Sequence, residues 1–353
     1  MEGVTLTIAT IATSLPMGAE AYQHQIAVRA ADALDAAGRT GSTVRRAVFR
    51  SLRSSLAGTA RLPMGYVANA SASTRRRVGR FAYGRSVMTH RMNLELPPAP
   101  HGDIITLHDV VAWRFPDESA AVPAAAEEAR RAAAVICVSE FTAQEATDLL
   151  GIGDPIVIPN GVDDRYFDAP PLDAPTRRRL GLPERYVLHT GGAARRKNLE
   201  GLAEAWPRVR AERPDLHLVL AGPDHDRRTR LFGAAAGAVL LGRVADEYMP
   251  GLVAGAQALV VPSLYEGFGL PILEAMAAGV PVVAAEASSL PEVAGSAAVL
   301  VPPTGAGIAG GITDATSGDS ALTRLVAAGR ERAGQFTWER SALAHARVWA
   351  ALA

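Results

Sequence analysis

Strand-like and helix-like segments alternate twice along this chain, and a proline-rich stretch separates the two runs. The first run extends from Val4–Thr10 to the Asn160–Gly161 turn, and the second begins at Tyr186–Thr190. Strands that alternate with helices predict parallel sheets, and 353 residues exceed what one hydrophobic core usually supports. We therefore predict an α/β fold with two doubly wound, Rossmann-like domains. Their bounds are residues 1–168, a linker over 169–183, residues 184–335, and a final helix over 336–353.

The composition indicates a chain without a membrane-spanning segment. Its longest apolar run, Ala254–Pro262, is interrupted by Gln257 and falls well short of the ~20 residues that a spanning helix needs. The N-terminus alternates like a strand, which is unlike a signal peptide. The single cysteine, Cys137, cannot form an internal disulfide, as expected in a reducing compartment. We therefore expect a cytoplasmic protein.

Charge is unevenly distributed, although the formal net charge is zero. Between Gly38 and Leu94 there are twelve arginines and no aspartate or glutamate. Such a segment suits nucleic acid, an anionic acceptor or an anionic membrane, and it is also compatible with a solvated arginine-rich face. We predict a basic surface over Arg39–Arg91 that contacts the inner face of the plasma membrane peripherally, and we expect no nucleic-acid partner.

Two glutamates flank a glycine-rich loop in the second run. The strand Ala258–Val261 is followed by "EGFG" from Glu266, and Pro271 then stands in the first turn of a helix that contains Glu274. Glycines let a ligand approach the backbone, helix N-termini suit phosphates, and carboxylates accept hydrogen bonds from vicinal diols. Taken singly, Glu266 could be an exposed loop residue and Glu274 a charge that complements the helix dipole. Together they predict a site for sugar hydroxyls and phosphate in a cleft at the carboxyl ends of the strands.

The only lysine of the chain, Lys197, lies in "HTGGAARRKN" shortly after a Gly-Gly turn. A sole lysine could form a Schiff base with pyridoxal phosphate, but its arginine neighbours favour a phosphate contact. The nearest approach to a metal-ligand cluster is Asp224-His225-Asp226, which we interpret as a polar loop. A G-x-G-x-x-G fingerprint follows the first strand of neither run, which disfavours a dinucleotide-dependent dehydrogenase.

A set of motifs in consistent order resembles the retaining glycosyltransferase family 4, and the resemblance extends over nearly the whole chain. The motifs are "LHDVVAWRFPD" (107–117), "VICVSEFTAQE" (135–145), "VIPNGVDDRYF" (157–167), "HTGGAARRKNLEGL" (189–202), "EGFGLPILEAMAAGVPVV" (266–283), "SSLPEVAG" (288–295) and "FTWERSA" (336–342). This resemblance implies the GT-B fold, in which two Rossmann-like domains face a central cleft and the last helix crosses back to the first domain. The "RKN" sequence resembles the mannosyltransferase-like branch of the family.

The resemblance also implies residue roles. Glu274 would bind the ribose of a sugar nucleotide, Glu266 would contact the donor sugar, and Arg196 and Lys197 would neutralise the diphosphate leaving group. The other donor-binding residues would be Gly18, His108, Gly191, Gly192, Gly267, Phe268, Gly269 and Leu270, with His108, Glu266, Arg196 and Lys197 as the catalytic set. The chain departs from the family pattern at two positions. The family often has an arginine where this chain has Gly192, so either Arg195 or Arg196 would pair with Lys197, and Gly18 stands alone where many members have paired glycines.

The implied activity is a retaining, metal-independent hexosyltransferase without a cofactor, acting in polysaccharide biosynthesis. The expected donor is GDP-mannose, with UDP- and dTDP-sugars as alternatives, and the acceptor would be a glycan, a lipid-linked molecule or a small molecule. Same-face attack would leave the acceptor proton on the diphosphate, while a Glu266 nucleophile and a His108 general base are the other possible mechanisms. A non-catalytic sugar-nucleotide-binding protein and a hydrolysing epimerase of the same fold remain open.

Overall fold

The computed structural model describes residues 3–13, 18–84 and 86–353. The chain forms two compact units, the first comprising Met1–Gly161 with Trp338–Ala353 and the second comprising Val162–Thr337. The stretch predicted as a linker therefore belongs to the second unit, and it contains the helix Ala174–Leu180. That helix forms because the Asp173 carboxylate accepts a hydrogen bond from the Thr176 backbone N–H and a proline occupies its first turn.

Within the described residues, the first unit holds a parallel seven-stranded sheet in the order β3-β2-β1-β4-β5-β6-β7. The strands are β1 (Thr5–Ile11), β2 (Thr43–Ser51), β3 (Ala60–Leu62), β4 (Met88–Arg91), β5 (Asp103–Leu107), β6 (Ala134–Cys137) and β7 (Ile156–Val157). The helices are α1 (Gly18–Ala36), α2 (Met64–Asn69), α3 (Ala72–Tyr83), α4 (Val111–Arg114), α5 (Ala125–Arg131), α6 (Glu140–Leu150) and α15 (Trp338–Leu352). The strand order reverses between β1 and β4, as in a doubly wound sheet.

The C-terminal helix α15 packs against α1 and belongs to the first unit, as the predicted fold class requires. A chain of hydrogen bonds fixes it there. The Tyr22 hydroxyl on α1 lies 2.6 Å from His345 Nε2 on α15 and 2.9 Å from the Thr106 hydroxyl on β5. The Arg29 guanidinium also pairs with Glu339 at 2.7 Å. Polar contacts that are buried and fully paired fix the orientation of an element more narrowly than apolar packing alone.

The predicted basic surface over Arg39–Arg91 is wrong for two of its arginines, because Arg75 and Arg91 are completely buried. Arg75 Nε donates to Glu128 at 2.7 Å, and Arg91 Nε donates to Asp103 at 2.8 Å. Burial of a guanidinium is tolerated only when carboxylates and carbonyls accept its hydrogen bonds. The two carboxylates, Glu128 and Asp103, lie outside the segment Gly38–Leu94, which contains no acidic residue. These two arginines stabilise the fold, whereas Arg45, Arg46, Arg53, Arg77 and Arg80 are exposed; Arg85 lies outside the described residues.

Among the described residues, the second unit holds a parallel six-stranded sheet in the order β10-β9-β8-β11-β12-β13. The strands are β8 (Tyr186–Thr190), β9 (His217–Ala221), β10 (Ala238–Gly242), β11 (Ala258–Val261), β12 (Val282–Ala285) and β13 (Val299–Val301). The helices are α7 (Ala174–Leu180), α8 (Leu199–Glu212), α9 (Asp226–Phe232), α10 (Met249–Ala254), α11 (Leu270–Ala277), α12 (Leu290–Ala294), α13 (Gly305–Ala315) and α14 (Ser320–Gly334). Its core packs α8 and α13 on β8, β9 and β11 around Trp206.

The two doubly wound sheets confirm the predicted α/β fold class. Across the described part of the chain, none of the helices combines the length and the apolar character needed to span a bilayer.

Candidate functional site

The strand order of the second sheet reverses between β8 and β11, and the two loops that follow these strands carry most of the candidate residues. The loop after β8 contains Gly191 and Gly192 and ends in a 3-10 turn at Arg195–Lys197. The loop after β11 runs from Pro262 to Gly269, where α11 begins. In open α/β sheets, a reversal of strand order creates the crevice where ligands bind.

Lys197, Arg196 and Glu266 form one charged cluster in these loops. Lys197 Nζ lies 2.6 Å from Glu266 Oε1, and Arg196 Nη1 lies 3.5 Å from Glu266 Oε2. The Ser263 hydroxyl donates to Glu266 Oε1 at 2.7 Å. Arg195 is exposed and is absent from this cluster, so Arg196 is the arginine that accompanies Lys197. The cluster holds two cations and one carboxylate, which leaves a net positive charge beside the glycine loop.

The environment of Glu266 keeps it ionised. Burial by itself would raise the pKa of this carboxyl, but the Lys197 ammonium and the Arg196 guanidinium outweigh burial and hold the pKa below its usual value. The side chains of Lys197, Arg196 and Glu266 retain 17%, 20% and 12% of their exposure, so a polar ligand can reach them. An ion pair that is already formed and partly desolvated is a preorganised electrostatic site.

The glycine loop after β8 is shaped by a close approach of two backbones. Gly222, which follows β9, has φ +145°, and a Cβ there would stand 2.0 Å from the Gly191 carbonyl oxygen. The buried Arg228 guanidinium donates to that same carbonyl. Gly191 itself has φ +134°, whereas a Cβ on Gly192 would meet nothing within 4 Å. Gly191 is therefore required by backbone conformation, and position 192 has room for a side chain.

Asn198 joins the two loops and starts α8. Its side-chain amide donates to the Pro262 and Pro303 carbonyls at 2.9 Å each, and its oxygen accepts from the Gly201 N–H at 3.2 Å. Asn198 was not among the predicted site residues, although an asparagine directly before an apolar-periodic segment is an N-cap signal.

Two serines that follow β12 hold the loop of Glu266. The Ser288 hydroxyl accepts from the Glu266 N–H at 2.9 Å, and the buried Ser289 hydroxyl lies 2.9 Å from both the Glu266 and the Phe268 carbonyl oxygens. Ser288 has φ +52°, a left-handed conformation that is uncommon for serine and typical of functional loops. These contacts join residues more than twenty positions apart in the sequence. The serines of "SSLPEVAG" were therefore part of the family resemblance but were not predicted to belong to the site.

The remaining predicted residues of this loop support its shape. Gly267, Phe268 and Gly269 are buried and Leu270 is half-buried. The Phe268 ring packs edge-on against Phe336, with 6.0 Å between the ring centroids. Gly269 has φ +102°, and a Cβ there would stand 2.8 Å from Leu290. The loop therefore offers backbone atoms to a ligand, while its aromatic side chain anchors it.

Glu274 stands in the second turn of α11, and its environment differs from that of Glu266. Burial raises the pKa of Glu274 to about 7, with Asp246 and Asp163 adding to the rise and the Tyr166 hydroxyl and the Arg165 guanidinium acting in the opposite direction. The two glutamates therefore titrate in different pH ranges: the pKa of Glu266 is held below its usual value, while that of Glu274 is raised towards neutral pH.

Gly18 and His108 belong to the first unit and are described with it. Gly18 is the exposed first residue of α1; Pro16, which the sequence places in the same loop, lies outside the described residues. His108 follows β5, and its ring meets Tyr22 edge-on, with 4.6 Å between the centroids. Burial lowers the pKa of His108 to about 4, with His345 contributing, so this imidazole is neutral at pH 7.

The Asp224-His225-Asp226 segment is a helix start. His225 is the N-cap of α9, where its Nδ1 accepts from the Arg227 N–H at 3.1 Å. Across the described residues, no three His, Cys, Asp or Glu side chains stand close enough together to hold a metal ion.

Comparison with known proteins connects this geometry to glycosyl transfer. Residues 184–316 match the family described as Glycosyl transferases group 1. The chain is 32% identical over 268 residues to O-antigen chain mannosyltransferase B of Escherichia coli, covering 71% of this chain and 70% of that protein. It is 30% identical over 149 residues to the GDP-mannose-dependent alpha-(1-6)-phosphatidylinositol dimannoside mannosyltransferase of Mycobacterium tuberculosis, covering 41% of this chain and 39% of that protein.

Among solved structures, the sucrose-phosphate synthase of Thermosynechococcus elongatus superposes with a TM-score of 0.75 at 22% sequence identity, covering 98% of both chains. At this identity the likeness concerns the fold, and it agrees with the two parallel-sheet units described above.

Proposed function

The chain belongs to the group 1 glycosyltransferases, and we propose that within this family it transfers mannose from GDP-mannose to a lipid-linked or glycan acceptor, with retention of configuration and without a metal ion. Membership of this family makes the protein a glycosyltransferase that uses a nucleotide sugar. The observation that supports transfer from a nucleoside diphosphate without a metal ion is the Lys197–Arg196–Glu266 cluster beside the Gly191–Gly192 loop.

The cluster suits the charge that develops during transfer. The anomeric C–O bond to the diphosphate breaks, the acceptor oxygen bonds to the same face of the sugar, and the acceptor proton passes to a diphosphate oxygen. Lys197 and Arg196 stabilise the negative charge on that leaving group, which is the largest contribution expected from a site of this kind. Two fixed cations supply this stabilisation through the protein's own side chains.

Glu266 and Glu274 recognise the two sugars of the donor. Glu266, ionised and held by Lys197 and Ser263, accepts hydrogen bonds from hydroxyls of the transferred sugar. Glu274 accepts hydrogen bonds from the ribose. His108 of the first unit is neutral at pH 7 and would be a poor general base, because burial lowers its pKa to about 4.

GDP-mannose is the proposed donor because both relatives described above are mannosyltransferases and one of them is GDP-mannose-dependent. The test is a screen of GDP-mannose, UDP-glucose and dTDP-glucose, each with EDTA, for donor hydrolysis and for transfer. Turnover of GDP-mannose should persist in EDTA and should fall about 100-fold in Lys197→Ala. A strict requirement for a divalent metal, or turnover of UDP-glucose alone, would contradict the proposal in its metal and donor parts respectively.

An anionic, membrane-held acceptor is favoured by the exposed face of α3. Arg77, Arg80 and Phe81 stand three and four residues apart and share that face, with Phe81 89% exposed. Basic side chains beside an exposed aromatic ring suit a lipid surface, where each cation contributes about 1 kcal/mol near anionic headgroups. The opposite face, with Arg75 and Gly79, is buried in the first unit.

Sedimentation with phosphatidylglycerol vesicles tests this acceptor-side proposal. Binding should weaken with added salt and should be lost in the Arg77→Ser, Arg80→Ser, Phe81→Ser triple variant. Arg230→Ser, at an exposed arginine of the second unit, is the control that should bind like the wild type. Equal binding to neutral phosphatidylcholine vesicles would exclude an anionic membrane partner.

A further inference from the structure

Arg228 is a buried arginine of α9 whose guanidinium contacts the glycine loop after β8. It is 3% exposed, its Nη2 donates to the Gly191 carbonyl, and the same nitrogen lies 3.4 Å from the Ala221 carbonyl oxygen. Its Nε is buried and has no hydrogen-bond partner among the residues that the structure describes. Burial lowers the pKa of Arg228, with the exposed Asp224 carboxylate acting in the opposite direction. A guanidinium buried against backbone carbonyls is costly, which points to a role beyond packing.

The backbone of Gly191 is held at both of its polar atoms. Its N–H donates to the Ala221 carbonyl at 3.1 Å, and its carbonyl accepts from Arg228. Gly222 makes room for this second contact, because a Cβ there would stand 2.8 Å from Arg228 Nη2 and would collide with the Gly191 carbonyl oxygen. A peptide group that is fixed in this way is preorganised for a ligand.

The contact with Arg228 determines where the next N–H points. In a planar trans peptide, the carbonyl of one residue and the N–H of the next point in opposite directions. Because the Gly191 carbonyl points towards Arg228, the Gly192 N–H points away from it. Within the described part of the chain this N–H donates to no backbone carbonyl, and a Cβ on Gly192 would meet nothing within 4 Å. A Cβ on Gly191 would stand 3.9 Å from Lys197 Nζ, so the loop lies beside the charged cluster.

We propose that Arg228 is the positioning residue of the diphosphate site: it fixes the Gly191–Gly192 peptide so that the Gly192 N–H donates to a diphosphate oxygen of the donor. This proposal rests on the proposed function, in which Lys197 and Arg196 face the same diphosphate. Arg228 itself makes no contact with the nucleotide. An N–H on a fixed peptide stabilises the charge that develops on the leaving group without reorganisation during the reaction.

Labelled glycine gives a direct readout of this N–H. The sequence contains two Gly-Gly pairs, Gly191–Gly192 and Gly310–Gly311. Protein made with glycine that carries ¹³C at the carbonyl and ¹⁵N at the nitrogen therefore gives an HNCO signal for Gly192 and another for Gly311. Gly310→Ala, in α13 where a Cβ meets nothing within 4 Å, removes the Gly311 signal and so assigns both. In the wild type, GDP should shift the Gly192 amide proton downfield and leave Gly311 in place, whereas guanosine should shift neither signal.

Arg228→Met removes the donor to the Gly191 carbonyl and leaves an unbranched apolar side chain in its place. In calorimetric titrations it should weaken GDP binding about 10-fold, as expected when a hydrogen bond to a charged group is lost, and leave guanosine binding unchanged. The Gly192 signal should no longer shift at saturating GDP, and kcat should fall because the same N–H contacts the leaving group. An equal loss for GDP and guanosine, or a Gly192 shift like that of the wild type, would overturn the positioning role.

Arg210→Met is the matched control. Arg210 is a half-buried arginine of α8, and its Nη1 donates to the Leu216 carbonyl at 2.9 Å, just before β9 begins. It therefore lies at the edge of the sheet opposite the loop after β8. Its loss should lower stability and leave both the Gly192 shift and the ratio of GDP to guanosine affinity unchanged. If Arg228→Met does not fold, Arg228→Lys replaces it: the shorter ammonium should lower that ratio by a smaller factor, and an unchanged ratio would overturn the role.

The two proposals fail in different ways. If GDP binds to the wild type and the Gly192 signal stays in place, the role of Arg228 falls and the transferase proposal stands. If the wild type binds UDP and not GDP, the donor part of the proposed function falls, and the same titrations with UDP and uridine test Arg228, because both nucleotides carry the diphosphate. If the wild type binds neither GDP nor UDP, both proposals fall.

Discussion

Lys197 shows at the residue scale why one ammonium is retained in a chain whose other cationic side chains are all arginines. Its Nζ meets a single oxygen, Glu266 Oε1 at 2.6 Å, in a half-buried space that Arg196 shares. A compact ammonium on a flexible stem can exchange that oxygen for a phosphate oxygen, whereas a planar guanidinium requires a wider and more fixed geometry. The two cations are therefore not equivalent.

Lys197→Arg should consequently lower kcat about 10-fold although the charge is kept. The larger, planar guanidinium cannot reach both Glu266 Oε1 and a phosphate oxygen in the way that the compact ammonium can. Steady-state kinetics with GDP-mannose would measure this loss. Arg195→Lys, at the exposed neighbouring position, is the control and should change kcat little. A Lys197→Arg enzyme with wild-type kcat would show that only charge matters at this position.

At the scale of the element, the loop from Pro262 to Gly269 is held by one contact within it, from Ser263, and by contacts from elsewhere in the second unit. Its backbone is fixed by Ser288 and Ser289, and its carboxylate is fixed by Lys197 and Ser263. The loop is therefore a rigid part of the second unit, at the point where the strand order reverses.

Ser289→Ala should release this loop. The hydroxyl is fully buried and lies 2.9 Å from two carbonyl oxygens, so its loss leaves buried acceptors without a donor and should cost about 1–3 kcal/mol of unfolding free energy. The KM for the donor should rise as well, because Glu266 loses its fixed position. Urea denaturation and donor kinetics would measure both effects, with Ser296→Ala at an exposed position as the control. Unchanged stability would mean that water replaces the hydroxyl.

The sequence predicted the elements whose apolar pattern is continuous, such as β8, β11 and the helix that bears Glu274. It did not predict β2, because arginines at 45 and 46 interrupt the apolar alternation of Thr43–Ser51. The burial of Arg75 could not be predicted either, because its partner Glu128 lies 53 residues away in the sequence.

The predicted site residues of the second unit are brought together at β8 and β11, while their mutual contacts are not visible in the sequence. Lys197 and Glu266 were assigned to different parts of a ligand, yet they form an ion pair across 69 residues. Ser288 and Ser289 were missed because side chains that position a loop carry no local sequence pattern. Motif spacing identifies groups that touch a ligand better than groups that hold them.

At the scale of the whole molecule, the two units share a dependence on neutral, buried histidines. His90 and His345 are fully buried in the first unit, and His189 is 1% exposed in the second. His345 Nδ1 donates to the Ser341 carbonyl, so its Nε2 must accept from Tyr22, Tyr22 must accept from Thr106, and Thr106 must accept from His90. One backbone carbonyl thus orients four side chains, and a second proton on His345 would reverse its contact with Tyr22.

This arrangement predicts a loss of stability in acid. Burial lowers the pKa of His345 and of His189 to about 4 and holds that of His90 well below its usual value, whereas a histidine in an unfolded chain titrates near pH 6.5. Between these limits the unfolded chain binds more protons at these histidines than the folded chain, so their contribution to the unfolding free energy is fully present above about pH 6.5 and is lost as the pH drops towards 4. His345 and His189 should each contribute a loss of about 2 kcal/mol at pH 5, and His90 should contribute in the same direction.

Urea denaturation of the full chain between pH 7.5 and pH 5 would measure this loss. His345→Gln should reduce the pH slope by the contribution of one histidine, because the amide oxygen can still accept from Tyr22 but does not titrate in this range. His101→Gln, at an exposed position, should leave the slope at its wild-type value. Since the slope and not the absolute stability is compared, a general weakening of either variant does not affect the conclusion. An identical slope in His345→Gln and the wild type would show that His345 takes up its proton equally in the folded and the unfolded chain, which would contradict a buried, neutral imidazole at this position.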